Sequence, residues 1–414
     1  MSESVFEPLW DIVEQHLDEA EFLWEQWEAS LVAPNYALRE VEEGPEARLI
    51  AHLDGLVVNG PLVVERLLLP TIADVDAEPT RVRAAALALL QTPGPEGFEA
   101  VFAELHSSPP QRQELARALE CSDLGPLRPR LELMLSAEEA DLQYTAARIL
   151  AFHGEALDVL VPRMLASRRA VDRMLGLRTI PRLADAARHA RAIVSALGSD
   201  DPDVRDAALT AGVLLDLPNA WRCARELVAG VDPGAGHALL LLALRGDPSD
   251  HPAVLAAAPS LGAPGLWALG FLGTVEAIDT VMPLLEDEVH ARLAGEVVAA
   301  ITGIDLEDEN FTRVPPEEES LSHRPEDDLP LPDALKLLMW WRKQRPRFAV
   351  GERYMGGQPR DAATLLAALH EGPMRRRAAH LLALQLELPA SRRPHFEPMA
   401  PTFRQRRDLA KMPV

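Results

Sequence analysis

A short stretch near the end of the chain carries the residue types that most often bind another protein. Two adjacent tryptophans are followed by arginines and a phenylalanine, and an arginine–tyrosine pair comes soon after. Tryptophan, tyrosine and arginine supply much of the binding energy at protein interfaces. We therefore predict a partner-binding patch formed by Trp340, Trp341, Arg342, Arg345, Arg347, Phe348, Arg353 and Tyr354.

The same tryptophans are compatible with a structural role. Neighbouring residues on an α-helix point about 100° apart, so Trp340 and Trp341 can both be buried only if two sides of the helix are covered. In that case the rings pack the helix against the rest of the protein, and the arginines neutralise acidic residues of the same chain. The sequence leaves both interpretations open.

A second basic cluster, Arg375-Arg376-Arg377, lies at the predicted start of a helix. Cations at this end oppose the helix dipole unless an acidic partner neutralises them. Glu371 and an acidic segment earlier in the chain are candidate partners. We add Arg375 and Arg376 to the predicted patch, and a solvated helix face is the alternative.

No arrangement of residues in the sequence predicts catalysis, a metal site or a cofactor. A di-iron site needs several histidine–glutamate pairs, and His370-Glu371 is the only one here. Cys121 and Cys223 lack metal-ligand spacing, which favours free thiols in a reducing compartment. The glycines of residues 351–357 lack the spacing of a phosphate-binding loop, and nothing resembles a nucleophile elbow.

Charge is distributed very unevenly along the 414 residues. The formal net charge is −23, but residues 1–333 carry −33 and residues 334–414 carry +10. The field of residues 1–304, with a net charge of −24, opposes binding of a nucleic acid along that part. The basic end can either neutralise the acidic part of the same chain or bind an acidic partner.

The elements that must position these residues are helices that recur about every 30 residues. Residues 79–87 (PTRVRAAAL) and 202–209 (PDVRDAAL) are two copies of one helical signature. A second element, Glu155-Ala156-Leu157-Asp158, returns 121 residues later as Glu276-Ala277-Ile278-Asp279. Repeats of this length are typical of stacked helix pairs, so the sequence predicts an all-α solenoid.

Composition divides the chain into four predicted segments. These are a helical cap at 1–45, a repeat region at 46–304, an acidic proline-rich loop at 305–333 and a basic helical segment at 334–414. Residues 251–275 lack Asp, Glu, Lys and Arg, but Pro259 and Gly262 are expected to break them into two helices, so we predict no membrane span. The polar N-terminus does not look like a signal peptide, which favours a cytoplasmic protein.

Over residues 46–303 the repeat signature resembles HEAT repeats, in which antiparallel helix pairs stack into a superhelix. Further motifs lie at residues 14–20, 22–24, 48–49, 51–56, 299–306, 331–333, 340–341, 347–348, 351, 353–354, 357–359 and 375–379. On these motifs the chain resembles, over nearly its whole length, an uncharacterised bacterial HEAT-repeat family. Members are commonly found beside type VI secretion components of the spike and adaptor kind. The resemblance implies a right-handed α–α superhelix and a secretion-associated role, and it carries over no catalytic residue.

Together, these observations predict a non-enzymatic, cytoplasmic scaffold that binds a protein partner such as a secretion spike, adaptor or effector. The alternative is an enzyme on a HEAT scaffold, of the lyase or DNA-glycosylase type. A deep polar pocket with a buried, perturbed carboxylate would favour that alternative. An immunity protein that neutralises a toxin is a third possibility, and the sequence leaves the oligomeric state open.

Overall fold

The computed structural model describes residues 8–314 and 326–412. Over these residues the protein is all-α apart from one two-stranded antiparallel sheet, which confirms the predicted class. Residues 1–7 of the predicted cap and residues 315–325 of the predicted acidic loop lie outside the described residues.

The helices of the described residues follow one another with short connections. In chain order they are α1 (Trp10–Ser30), α2 (Leu38–Val41), α3 (Ala47–Val58), α4 (Pro61–Val63), α5 (Leu69–Ala73), α6 (Pro79–Gln91), α7 (Glu96–Ser107), α8 (Arg112–Cys121), α9 (Leu124–Met134), α10 (Ala140–Phe152), α11 (Val161–Leu165), α12 (Ala170–Thr179), α13 (Ala190–Ala196), α14 (Pro202–Leu214), α15 (Pro218–Ala229), α16 (Gly236–Arg245), α17 (His251–Ala257), α18 (Gly262–Leu272), α19 (Val275–Val281), α20 (Ala291–Thr302), α21 (Ala334–Gln344), α22 (Ala362–Glu371), α23 (Arg377–Glu387) and α24 (Thr402–Leu409).

Irregular turns and one hairpin complete the secondary structure. Two π-helical turns occur at Glu42–Glu46 and Val64–Leu68. The 3₁₀ turns are Pro109–Gln111, Ile180–Arg182, Ala186–His189, Pro248–Asp250, Ala258–Leu261, Met282–Glu286, Arg345–Arg347, Met374–Arg376 and Ala390–Arg392. The sheet is a hairpin of β1 (Tyr354–Met355) and β2 (Gln358–Pro359), with Tyr354 opposite Pro359.

Helix starts in the repeat signature follow from proline and from aspartate caps. Pro79 and Pro202 occupy the first turns of α6 and α14, where the missing backbone N–H costs no hydrogen bond. The Asp201 side chain also accepts hydrogen bonds from the backbone N–H groups of Asp203 and Val204 at 3.1 and 3.2 Å. Local sequence therefore sets where these helices begin.

The described chain forms two compact units. One comprises Met1–Leu157 with Pro373–Arg375 and His395–Met412, and the other comprises Asp158–Gly372 with Arg376–Pro394. The predicted repeat region is thus divided between the units, and the basic segment contributes to both. The division into four segments stays a prediction.

In the first unit, α1 packs on α3 and α6, α6 packs on α8, and α8 packs on α10. Ion pairs also join these neighbouring helices. Glu28 of α1 accepts from Arg83 of α6 and from Arg117 of α8, each at 2.6 Å. Arg83 also pairs with Glu114 of α8 at 2.5 Å. Arg83 of the repeat signature therefore links α6 to the helices on either side.

The core of the first unit includes two tryptophans of the predicted N-terminal cap. Trp24 and Trp27 are buried and meet edge to face, with ring centroids 5.6 Å apart. The Trp27 indole donates to the buried Glu46 carboxylate at 2.8 Å. Glu46 also accepts from the backbone N–H and the hydroxyl of Thr402, the first residue of α24. This carboxylate anchors α24 to the cap.

In the second unit, the helices α12, α14, α16, α18 and α20 pack in series, and α15, α17 and α19 form another series. Helix α23, from the basic segment, packs on α14 and α16. Alanine and leucine fill the core; in α16, for example, the buried residues are Ala238, Leu239, Leu241, Leu242, Ala243 and Leu244. Small side chains of this kind let neighbouring helices approach closely.

The uncharged stretch forms two helices, α17 and α18, as predicted. By length and composition Pro248–Leu272 could cross a membrane, although half of its most apolar window is buried in the structure. The bent pair Leu38–Val58 and Pro61–Ala73, with an angle of 101°, passes the same test if taken as one span. Core helices of soluble proteins pass it too, so the absence of a membrane span stays a prediction.

Candidate functional site

Helix α21 carries the first half of the predicted patch. The helix begins after Asp333, whose side chain accepts a hydrogen bond from the backbone N–H of Lys336 at 3.0 Å. Leu337 and Trp341 are buried, whereas Leu335 and Met339 are 67% and 64% exposed. The helix therefore has one packed face and one exposed face.

Trp341 is held by an aspartate of the repeat region. Its indole N–H donates to Asp279 at 2.9 Å, and the Arg345 guanidinium donates to both oxygens of the same carboxylate, at 3.1 and 2.7 Å. Although burial opposes ionisation, the hydrogen bonds from Arg345 and Trp341 hold the pKa of Asp279 below its ordinary value. These two residues of the predicted patch bind the protein itself.

The remaining aromatic residues of the patch pack against other rings. Phe348 lies 5.7 Å from Trp341 and 4.9 Å from Tyr354, measured between ring centroids. Trp340 is half-buried and lies 6.1 Å from Phe311. The packing of these rings fits the structural interpretation that the sequence left open.

Arg353 binds the carboxyl ends of two helices. Its Nε atom donates to the carbonyl of Leu272 at 2.9 Å, and its Nη1 atom donates to that of Leu244 at 3.1 Å. Its Nη2 atom donates to the carbonyls of Phe271, at 2.9 Å, and of Ala243. Carbonyls at this end of a helix lack partners within the helix and carry the negative end of its dipole. Arg353 supplies hydrogen-bond donors and a positive charge at the carboxyl ends of α16 and α18.

The hairpin that follows Arg353 caps helix ends with its backbone. Tyr354 donates its N–H to the carbonyl of Gly273 at 2.7 Å, and Gly356 donates to that of Ala300 at 2.9 Å. Gly273 and Gly303 end α18 and α20 with φ of +75°, and a Cβ atom on either would lie 2.6 Å from a hairpin carbonyl oxygen. Glycine is therefore required where the hairpin docks.

Arg376 and Arg377 are buried, so the alternative of a solvated helix face is wrong for both. Arg376 is 5% exposed, with its guanidinium 4.0 Å from the ring centroid of Phe271 and 3.3 Å from the Glu296 carboxylate. Arg377 donates to the carbonyl of Leu369, and burial lowers its pKa to about 10. The physical reason is that the start of α23 packs into the second unit. Arg376 is therefore not accessible to a partner protein.

Arg375 is half-buried, and its backbone N–H donates to the carbonyl of Ala33 at 3.0 Å. The structure consequently does not bring the ten predicted residues together in one exposed patch. Several of the cations, including Arg345 and Arg376, pair with acidic residues of the repeat region. These ion pairs agree with the interpretation that the basic segment neutralises acidic residues of the same chain.

The outward side of α21 is exposed and includes one residue of the predicted patch, Arg342. Leu335, Met339 and Lys343 lie four residues apart along the helix, and Arg342 adjoins them. Within residues 8–314 and 326–412, Arg342 and Lys343 form no ion pair. We name these four residues the α21 face. Arg347, also exposed, lies beyond the helix end and donates to Gln344 at 2.9 Å.

Two open grooves and one carboxyl group with a raised pKa occur at different places among the described residues. Open grooves of about 510 Å³ and 840 Å³ lie beside Phe102 and Leu133, and beside Val159 and His189. Burial raises the pKa of the Asp206 carboxyl to about 6, but Asp206 lines neither groove. In the part of the chain that the structure describes, no three His, Cys, Asp or Glu side chains are grouped to hold a metal ion.

Sequence reasoning missed the residues that fix the basic segment. Asp279 closes one of the two repeated elements, and this recurrence was the signal that could have singled it out. Its pairing with Trp341 was not visible, because the two residues are 62 positions apart. Gly273 and Gly303 were likewise unremarkable without the hairpin that packs on them.

Comparison with known proteins assigns no family. No protein-family model matches the chain, and no curated protein matches it. An X-ray structure of YibA from E. coli is 13% identical and covers 72% of this chain and 98% of its own, with a TM-score of 0.29. A TM-score this low does not establish a shared fold.

Proposed function

We propose that the protein is a non-enzymatic scaffold of stacked HEAT-type helical repeats that binds another protein. The packing order supports this proposal, because alternate helices pack in series within each unit. The signature arginine supports it as well, since Arg83 pairs with Glu28 and Glu114 on neighbouring helices of its unit. Repeat proteins of this kind use extended surfaces to bind their partners.

The α21 face is the surface that we assign to the partner, and its exposed apolar residues are the observation that carries the proposal. Leu335 and Met339 present apolar side chains to solvent one helical turn apart. Arg342 and Lys343 add positive charge with no acidic partner among the described residues. Apolar anchors beside cations fit an amphipathic protein segment with acidic residues at its margins. We therefore expect the partner to contribute an acidic, amphipathic helix.

The family resemblance adds a biological setting to this proposal. It suggests an accessory, adaptor or chaperone-like role in type VI secretion, with a spike, adaptor or effector protein as the partner. An immunity protein would bind a toxin through the same kind of surface. The two roles differ in the identity of the partner and not in the chemistry of the α21 face.

Site-specific cross-linking tests the assignment. A photo-reactive amino acid at Met339 is expected to cross-link one partner protein in the source cells, whereas the same group at the exposed Val289 is not. Binding of the identified partner should weaken at least about tenfold in the Leu335→Glu/Met339→Glu variant, because charged side chains replace both apolar anchors. Arg342→Glu/Lys343→Glu should weaken binding and reduce its dependence on salt.

Three outcomes contradict the assignment. One is a partner whose cross-linked segment is basic, because charge complementarity is then absent. Another is binding of the same strength by the wild type and both double variants. The third is cross-linking of RNA or of anionic vesicles in place of a protein, which would assign the face to a different class of ligand. Val289→Glu serves as the matched control for an added surface charge.

A further inference from the structure

Two histidines from different helices of the first unit meet side by side. His16 lies on α1 and His52 lies on α3, and their Nδ1 atoms are 3.2 Å apart. The ring centroids are 5.1 Å apart, and the ring planes make an angle of 67°. Both side chains are half-buried, so each ring is fixed by packing and still reachable from solvent.

A glycine one turn after His52 makes room for the His16 ring. A Cβ atom on Gly55 would lie 2.8 Å from both the Cε1 and the Nε2 atoms of His16. Contacts that short do not occur between real Cβ atoms and a ring, so any larger residue would displace the imidazole. The Nε2 side of His16 therefore rests against α3 at Gly55, and its Nδ1 atom is directed to His52.

The separation of the two Nδ1 atoms suits a shared metal ion. Metal–nitrogen bonds of about 2.0–2.1 Å at a tetrahedral angle place two imidazole nitrogens roughly 3.3 Å apart. Neutral imidazole is a preferred ligand of the late first-row divalent ions. A hydrogen bond between the rings has a similar length, so the distance alone is compatible with a bound metal ion and with a direct hydrogen bond.

We propose that the Nδ1 atoms of His16 and His52 bind one late first-row divalent metal ion, with Zn²⁺ as the reference ion. Because no third His, Cys, Asp or Glu ligand is grouped with them among the described residues, water completes the coordination shell. A two-histidine site of this kind is exchangeable and joins α1 to α3.

Metal titration tests the proposal. The full-length protein, freed of metal with EDTA, is titrated with ZnCl2, and ¹H–¹⁵N spectra of the histidine rings are recorded at each step. We expect the Nδ1 resonances of His16 and His52 to shift together at one equivalent. Calorimetry should show affinity at least about tenfold weaker in His16→Gln and in His52→Gln, since each variant loses half of the chelate.

Two further variants separate a metal site from other effects. Gly55→Ala keeps both histidines but displaces the His16 ring, so it should also lose affinity. The exposed His370→Gln should bind zinc as the wild type does. The proposal is overturned if the His16 and His52 resonances do not respond to zinc, which would leave only a hydrogen bond between the rings. It is equally overturned if the wild type and the double variant His16→Gln/His52→Gln bind zinc with the same affinity.

Discussion

Arg353 donates a hydrogen bond to the carbonyl oxygen of Leu272 at 2.9 Å, at the carboxyl end of α18. The same guanidinium reaches the end of α16, where it donates to Leu244 at 3.1 Å. Burial lowers the pKa of Arg353 to about 9, which still leaves the side chain charged at neutral pH. A residue that the sequence assigned to partner binding instead satisfies helix ends within the second unit.

Replacement of Arg353 by leucine should destabilise the second unit strongly. The variant removes the side-chain donor to the carbonyls of Leu272, Ala243 and Phe271, and we expect a loss of about 3–5 kcal/mol in the free energy of unfolding measured with urea. Arg353→Lys should recover little of this loss, because an ammonium group cannot reproduce the planar fork of donors. Arg347→Leu, at an exposed position, is the control and should change stability by less than about 0.5 kcal/mol. A loss below about 1 kcal/mol in Arg353→Leu would contradict the capping role.

Glycine-to-alanine substitutions should distinguish the energetic cost of a positive φ from the cost of a steric clash with the hairpin. Gly303 and Gly351 both have positive φ, at +75° and +85°. A Cβ atom on Gly303 would lie 2.6 Å from the carbonyl oxygen of Gly356, whereas nothing lies within 4 Å of one on Gly351. Gly351→Ala should therefore cost only the strain of about 1–2 kcal/mol, and Gly303→Ala should cost clearly more. Equal losses in urea unfolding would show that the hairpin does not dock tightly at Gly303.

Acid should destabilise the first unit through His153. The Nδ1 atom of His153 accepts from Arg404 at 2.7 Å, and its Nε2 atom donates to the carbonyl of Leu119 at 3.2 Å, so the ring is neutral. Burial and then the charge of Arg404 lower its pKa from 6.5 to about 4. Between pH 6.5 and about 4 the unfolded chain binds a proton at His153 and the folded chain does not. The contribution of neutral His153 to the free energy of unfolding is therefore complete above pH 6.5 and is lost as the pH falls towards 4.

The contribution of His153 can be isolated with a glutamine variant. The full difference in pKa corresponds to at most about 3 kcal/mol. His153→Gln cannot take up a proton, so its free energy of unfolding should fall less steeply than that of the wild type between pH 6.5 and 4.5. Burial also lowers the pKa of His237, to about 4, and of His380, so some acid sensitivity should remain in the variant. Parallel pH profiles for the two proteins would rule out this role of His153.

Much of the fold could be predicted because its signals are local. Proline in the first turn and the Asp201 cap set the start of α14, and the same logic applies to Pro79 in α6. The break between α17 and α18 could be predicted from Pro259 and Gly262. These effects act within a few residues of the chain, so no knowledge of distant contacts was needed. The stacking of the repeats into a superhelix stays a prediction.

The sequence by itself determined that this protein is all-α and which residues are chemically suited to bind a partner. Only the tertiary structure decided which of those residues are accessible. Trp341 and Arg376 are bound to Asp279 and Glu296, which lie 62 and 80 positions away in the chain, whereas Arg342 and Arg347 stay exposed. Residue type and helical period do not encode such distant pairings. Burial on one side of α21 depends on which distant element packs there, and this is decided when the chain folds.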